Sequence, residues 1–259
     1  MKINSRKIDL IVIMAIIAIS AFLVLKFEIK TLIASILYFL VPAIYLLIRK
    51  TKDIKNITIS SLFFGIVCGF LFSFINTINE QWWYPQGSLL IPYRVFGLVP
   101  IDEVLWYVFM ILLVTTFYEH FIDKGDAGKT SKNIKYIIYP SLIVLVITII
   151  LFISFPLLLK VKYSYLISGF IAIIPFIYLV TKKPIFISKF AKVVVFFFFL
   201  FLTHELTAVK TGQWIFTGNY IGTVNILGLV FPFEEFFFWI MISSAACLSY
   251  YEIFIDDEK

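Results

Sequence analysis

The chain has 259 residues, of which 61% are hydrophobic and only 15% charged, and its mean hydropathy is +1.00. A soluble domain could not hide that much apolar surface, so lipid must be its solvent. The formal net charge of +6 is spread over short loops rather than gathered on one soluble face, which argues against a nucleic-acid partner and for an origin in membrane topology.

Spans of roughly 20 apolar residues can each cross a ~30 Å hydrocarbon core, and eight such stretches occur in the chain. In order they run from Leu10 to Leu25, Thr31 to Ile48, Ile57 to Asn76, Ile101 to Ile122, Ile134 to Leu159, Tyr163 to Val180, Phe190 to Val209 and Phe231 to Ile255. The expected fold is therefore an all-α, polytopic membrane protein. The first stretch follows Lys2, Arg6 and Lys7, but it is longer than a signal-peptide core and lacks a clear cleavage site, so it reads as a retained span. Cys68 and Cys247 fall inside spans and read as small buried apolar groups. Alternate loops place 16 of the 22 Lys and Arg on the side shared by both termini, Arg49, Lys50, Lys52, Lys55, Lys182 and Lys183 among them. That distribution makes both termini cytoplasmic.

The sequence matches itself at an offset of about 132 residues. Gln81-Trp82 matches Gln213-Trp214, Gly97-Leu98-Val99 matches Gly228-Leu229-Val230, and Pro100-Ile101-Asp102-Glu103 matches Pro232-Phe233-Glu234-Glu235. Farther on, Tyr118-Glu119 with Asp123 matches Tyr251-Glu252 with Asp256. Residues 1–130 and 131–259 thus read as two four-helix repeats. Because four is even, the repeats are parallel, related by an axis along the membrane normal. Both acidic doublets then lie on the non-cytoplasmic face, where they can meet across a shared cleft.

In each copy the proline is expected in the first helical turn, with the acids favoured by the helix dipole. Acids followed at once by aromatic residues at membrane depth are also candidate functional groups. Asp102 lies one turn above Trp106, Glu103 above Tyr107, Glu234 above Phe238 and Glu235 above Trp239. Such dry surroundings favour a carboxyl group that keeps its proton, and aromatic faces stabilise a nearby cation. His204 and Glu205 end the seventh stretch on the same side and are plausible members of the site, although the matching positions hold Phe72 and Ser73. Glu119 lies sixteen residues beyond Glu103, about 24 Å along a helix, so Glu119, His120 and Glu252 belong to the opposite face. Trp82, Trp83 and Trp214 read as interfacial anchors, and Asp123 and Asp256 as span-ending caps. No motif for nucleotide, flavin or zinc is present, and no metal site is expected.

The doubled Pro-x-acid-Glu, its trailing aromatics and an upstream Gly212, Trp214 and Phe216 resemble the small integral-membrane lycopene cyclases of carotenoid synthesis. The likeness is best over His204 to Trp239 and weaker over Gln81 to Tyr107. The resemblance implies a multi-pass protein of the cell membrane that cyclises a linear carotenoid by acid-initiated, redox-neutral carbocation chemistry. Glu235 and Glu103 would be principal acid or base, supported by Glu234 and Asp102. His204, Glu205, Trp106, Tyr107, Phe238, Trp239 and Trp214 would hold the substrate. No cofactor is evident, and a reduced flavin or nicotinamide is left open. The implied partners are the polyene and the lipid bilayer, with self-association or other carotenoid enzymes beside them. Three alternatives remain: a carotenoid hydratase, a proton-coupled transporter or lipid-binding protein, and a CAAX-type membrane protease, against which Trp239 stands at the expected arginine position.

Overall fold

A computed structural model describes residues 5–49, 53–123 and 130–256. Lys2, Lys50 and Lys52, counted above in the topology, lie outside the described residues. Eight helices in the described residues are long and apolar enough to cross a membrane, as in an all-α polytopic membrane protein: Ser5–Phe27, Thr31–Ile48, Ile54–Ile78, Ile101–Phe121, Lys132–Ser154, Ser164–Lys182, Ile185–Lys210 and Glu235–Ile255. They are called the first to eighth spans. Both ends of the described chain lie at one end of the bundle, the terminal end; the acidic doublets lie at the other, the loop end.

Two boundaries differ from the sequence reading for local reasons. The fifth span stops at Ser154, because Pro156 begins a separate short turn, Pro156–Leu159. The eighth begins after Pro232 rather than at Phe231, because Leu229–Pro232 pairs with Thr223–Ile226 in a hairpin. The prolines also sit differently from the expected first helical turn. Pro100 is the N-cap, and both prolines end a hairpin strand, opposite Arg94 and Thr223 respectively. A proline there surrenders no ladder hydrogen bond of consequence and stops the strand.

The fourth and eighth spans, which carry the doublets, are the most buried; the first and fifth are the least. A core of apolar and aromatic side chains, Phe39, Leu113, Phe197, Phe201 and Leu248 among them, fills the space between them. The third span contains a π-helical stretch at Phe63–Gly69 and the eighth another at Glu235–Ile242. Such wider turns break the i to i−4 ladder and re-aim side chains, and they recur where proteins build sites.

At the terminal end, Tyr251 donates to Glu119 at 2.7 Å and Tyr118 donates to Glu252, a reciprocal clasp between the fourth and eighth spans. At the loop end, Trp82-Trp83 pairs antiparallel with Ile215-Phe216, joining the two loops that precede the doublets. Each loop then turns on a pair with positive φ, Phe96 (53°) and Gly97 (74°) in one, Leu227 (53°) and Gly228 (79°) in the other. Two successive left-handed residues define the tight hairpin turn whose twist matches the strands, and glycine takes the second place without strain.

Candidate functional site

Within each doublet the two acids part company, as residues about 100° apart on a helix must. Asp102 turns to its own loop, where its carboxylate accepts from the backbone N–H of Leu90 at 2.7 Å and of Ile91 at 3.0 Å. Glu234 does the same with the N–H of Ile221 at 2.9 Å. Both are buried, and neither lines the cavity described below. They fasten the loops to the helix starts.

Glu103 and Glu235 instead face one cavity of about 420 Å³ between the third, fourth, fifth, sixth and eighth spans. Its walls are overwhelmingly apolar. Trp106, Tyr107, Phe238, Trp239 and Trp214 all line it, with Trp106 and Trp239 only 4.5 Å apart between ring centroids. Two glycines bring aromatic rings close to the acids. A Cβ on Gly69 would stand 2.7 Å from the Tyr107 ring, and one on Gly169 would stand 2.5 Å from that of Phe238. Cys68 and Cys247 line the cavity as well.

The surroundings of the two glutamates differ. Glu103 accepts from the Trp82 indole N–H at 3.0 Å, and the Ser73 and Tyr84 hydroxyls face it. Tyr84 lies in the loop, where burial pushes its phenol well above the ordinary value, so it is a neutral donor. Glu235 accepts from the Tyr165 hydroxyl at 2.6 Å, and the Glu205 carboxyl lies behind it. Glu205 is fully buried, accepts from the Trp214 indole N–H at 3.1 Å, and does not line the cavity. His204 does not line it either. Its imidazole is enclosed by the rings of Tyr38, Phe39, Trp106 and Trp214, and neither ring nitrogen has a hydrogen-bond partner.

Of the three tryptophans read as anchors, only Trp83 is exposed, at 42%, beneath the Arg94 guanidinium. Trp82 and Trp214 are buried acid-binding donors, because strand pairing across the loops draws both indoles inward. Tyr84 and Tyr165 were missed from sequence. They are two of fourteen tyrosines, and no spacing marks them. Ser73 was noted only as a mismatch to Glu205, although it stands at the first glutamate much as Glu205 stands at the second.

At the terminal end, Asp9 of the first span, also missed, accepts from Tyr45 at 2.8 Å and pairs with Arg49 at 2.8 Å and His120 at 3.0 Å. Asp123 pairs with Lys189 at 3.2 Å, more than the cap expected of it. Asp53, Glu119 and Asp256 bring carboxylate oxygens within 4.8 Å of one another there, away from the cavity. No protein-family model, no curated protein and no solved structure matches the chain.

Proposed function

We propose that the chain is a carotenoid cyclase of the lycopene cyclase type, built from two parallel four-helix repeats. The observation that carries the reading is the convergence of Glu103 and Glu235, from two separate helix starts, on one apolar cavity walled by aromatic rings. The repeat reading draws support from the matched hairpin turns, from Trp83 lying directly opposite Ile215, its equivalent at an offset of 132, and from the reciprocal Tyr–Glu clasp. In this reading both termini are cytoplasmic and the membrane is the cell membrane, with the Lys and Arg bias of the loops in support of the orientation.

In this reading Glu235 is the acid, because it stands on the apolar cavity wall with a second buried carboxyl, Glu205, behind it. It protonates the terminal double bond of a linear polyene. The resulting tertiary cation is attacked by a neighbouring double bond, and the Trp106, Tyr107, Phe238 and Trp239 rings supply faces that stabilise it in a dry site. Glu103, held by the Trp82 donor and faced by two hydroxyls, receives the proton lost as the ring's double bond forms. One proton enters and one leaves, so the oxidation state is unchanged. Partners are the polyene and the surrounding lipid.

A hydratase would begin with the same protonation but end with water, whereas the cavity wall is chiefly apolar. A transporter would place its acids near mid-membrane, whereas these stand in first turns. Expression in cells that accumulate lycopene, followed by pigment chromatography, tests the reading. A cyclic product is expected. Unchanged lycopene beside inserted protein would overturn it, and a hydroxylated product would favour the hydratase.

A further inference from the structure

We propose that the cavity is loaded sideways from the bilayer, through a gap between the fifth and sixth spans, by a long, linear, uncharged hydrocarbon chain. One end of the chain reaches Glu103 and Glu235 while the rest stays among the lipid tails. The proposal deepens the reading above and rests on it for the chemistry at the closed end.

The gap is visible in the wall itself. Val144 on the fifth span and Ile171 on the sixth both line the cavity and are 51% and 59% exposed. Wall side chains left so exposed stand where little packs behind them. The fifth span packs on the third, and the second half of the sixth on the eighth, so little holds the fifth and sixth together. Near the loop end the turn that joins them is tied to the third span. There Asn79 donates to the Leu159 carbonyl at 2.9 Å and accepts from the Val161 N–H at 2.6 Å, while Asn76 bonds Ser164 and Ser168 at 3.0 Å each. Below this clasp the sixth span is broken at Ile173, with Pro175 next in line. The missing proline N–H leaves that turn without its ladder bond, a natural place for the wall to flex.

Depth agrees with loading from lipid. Val144 lies ten residues from the loop end of the fifth span and Ile171 seven from that of the sixth, about 15 Å and about 10 Å down, near the middle of a ~30 Å core. The acids lie higher, in the first turns of their helices, beneath the buried side chains of Trp82, Tyr84 and Trp214. A polar or charged ligand would have to cross hydrocarbon to use this opening, whereas an apolar chain is already dissolved there. From Glu235 to Tyr250 the wall runs roughly 20 Å, too short to enclose a chain that spans the bilayer, so one end is served at a time.

The test reads occupancy rather than turnover. Protein in phosphatidylcholine vesicles is irradiated with a long-chain hydrocarbon carrying a terminal diazirine, and adducts are mapped by mass spectrometry. Adducts at Glu235 and Tyr107 are expected, with constant adducts at lipid-facing Ile11 as the internal reference. Val144→Trp with Ile171→Trp should lower the cavity adducts at least about tenfold. Ile147→Trp, equally lipid-facing on the fifth span but off the cavity wall, should leave them unchanged. Ile171→Trp alone carries the test if the double variant inserts poorly. Unchanged cavity adducts in the tryptophan variants, or none in the unaltered protein, would overturn the loading route. Cavity adducts that respond to the plug, in a protein that leaves lycopene unchanged, would keep the route and overturn the cyclase reading.

Discussion

The two ends of the bundle bury acidic side chains about equally well and use them differently. At the terminal end, Glu119 and Glu252 each have a tyrosine donor from the opposite helix, and Asp9 has three partners. At the loop end, Asp102 and Glu234 are likewise consumed by backbone N–H groups, but Glu103 and Glu235 face an apolar cavity with room for a reactant. Burial of an acid in a membrane span is therefore a poor guide to its role by itself. An acid turned wholly to protein donors is a fastener, and an acid on the wall of a void is the candidate for chemistry.

The comparison breaks most visibly at Glu235. Glu235→Gln keeps the hydrogen bond to Tyr165 and removes the transferable proton, so cyclised product should fall about 100-fold or more while the detergent melting midpoint stays put. Tyr251→Phe should do the reverse. It strips the tyrosine donor from Glu119, costs about 1–3 kcal/mol, lowers the midpoint, and leaves product per folded molecule unchanged. A loss of activity without loss of stability there would erase the distinction between the ends.

Smaller changes sharpen it. Gly169→Ala forces the Phe238 ring away from a Cβ that would stand 2.5 Å from it, at an overpacking cost of about 1–3 kcal/mol, and product formation should drop several-fold as the cavity wall shifts. Asp102→Asn retains one carbonyl acceptor for the two N–H groups of Leu90 and Ile91. It should cost only about 1 kcal/mol, measured as a shift in the denaturation midpoint, and affect turnover least.

Some of this was legible before any coordinates. Helix rise alone separated Glu119 from Glu103, and adjacency on a helix alone required the members of each doublet to point apart. Both are local facts. The misreadings were non-local: Trp82 and Trp214 have the spacing of interfacial anchors and become buried donors only because their two loops pair. Tyr165 is remote in sequence from Glu235, and no periodicity announces that the sixth span will deliver its hydroxyl there.

The sequence by itself determined that the chain lives in lipid, how many helices it offers, and which end of the bundle carries the doublets. Each of these follows from the length of apolar runs and the placing of charges, which a chain carries whatever its packing. Only the tertiary structure decided which acid of each doublet faces the cavity, and that Glu205 stands behind Glu235 while Ser73 and Tyr84 face Glu103. Those outcomes depend on which helix faces meet and how closely, and glycines, π-helical turns and strand pairing settle that jointly.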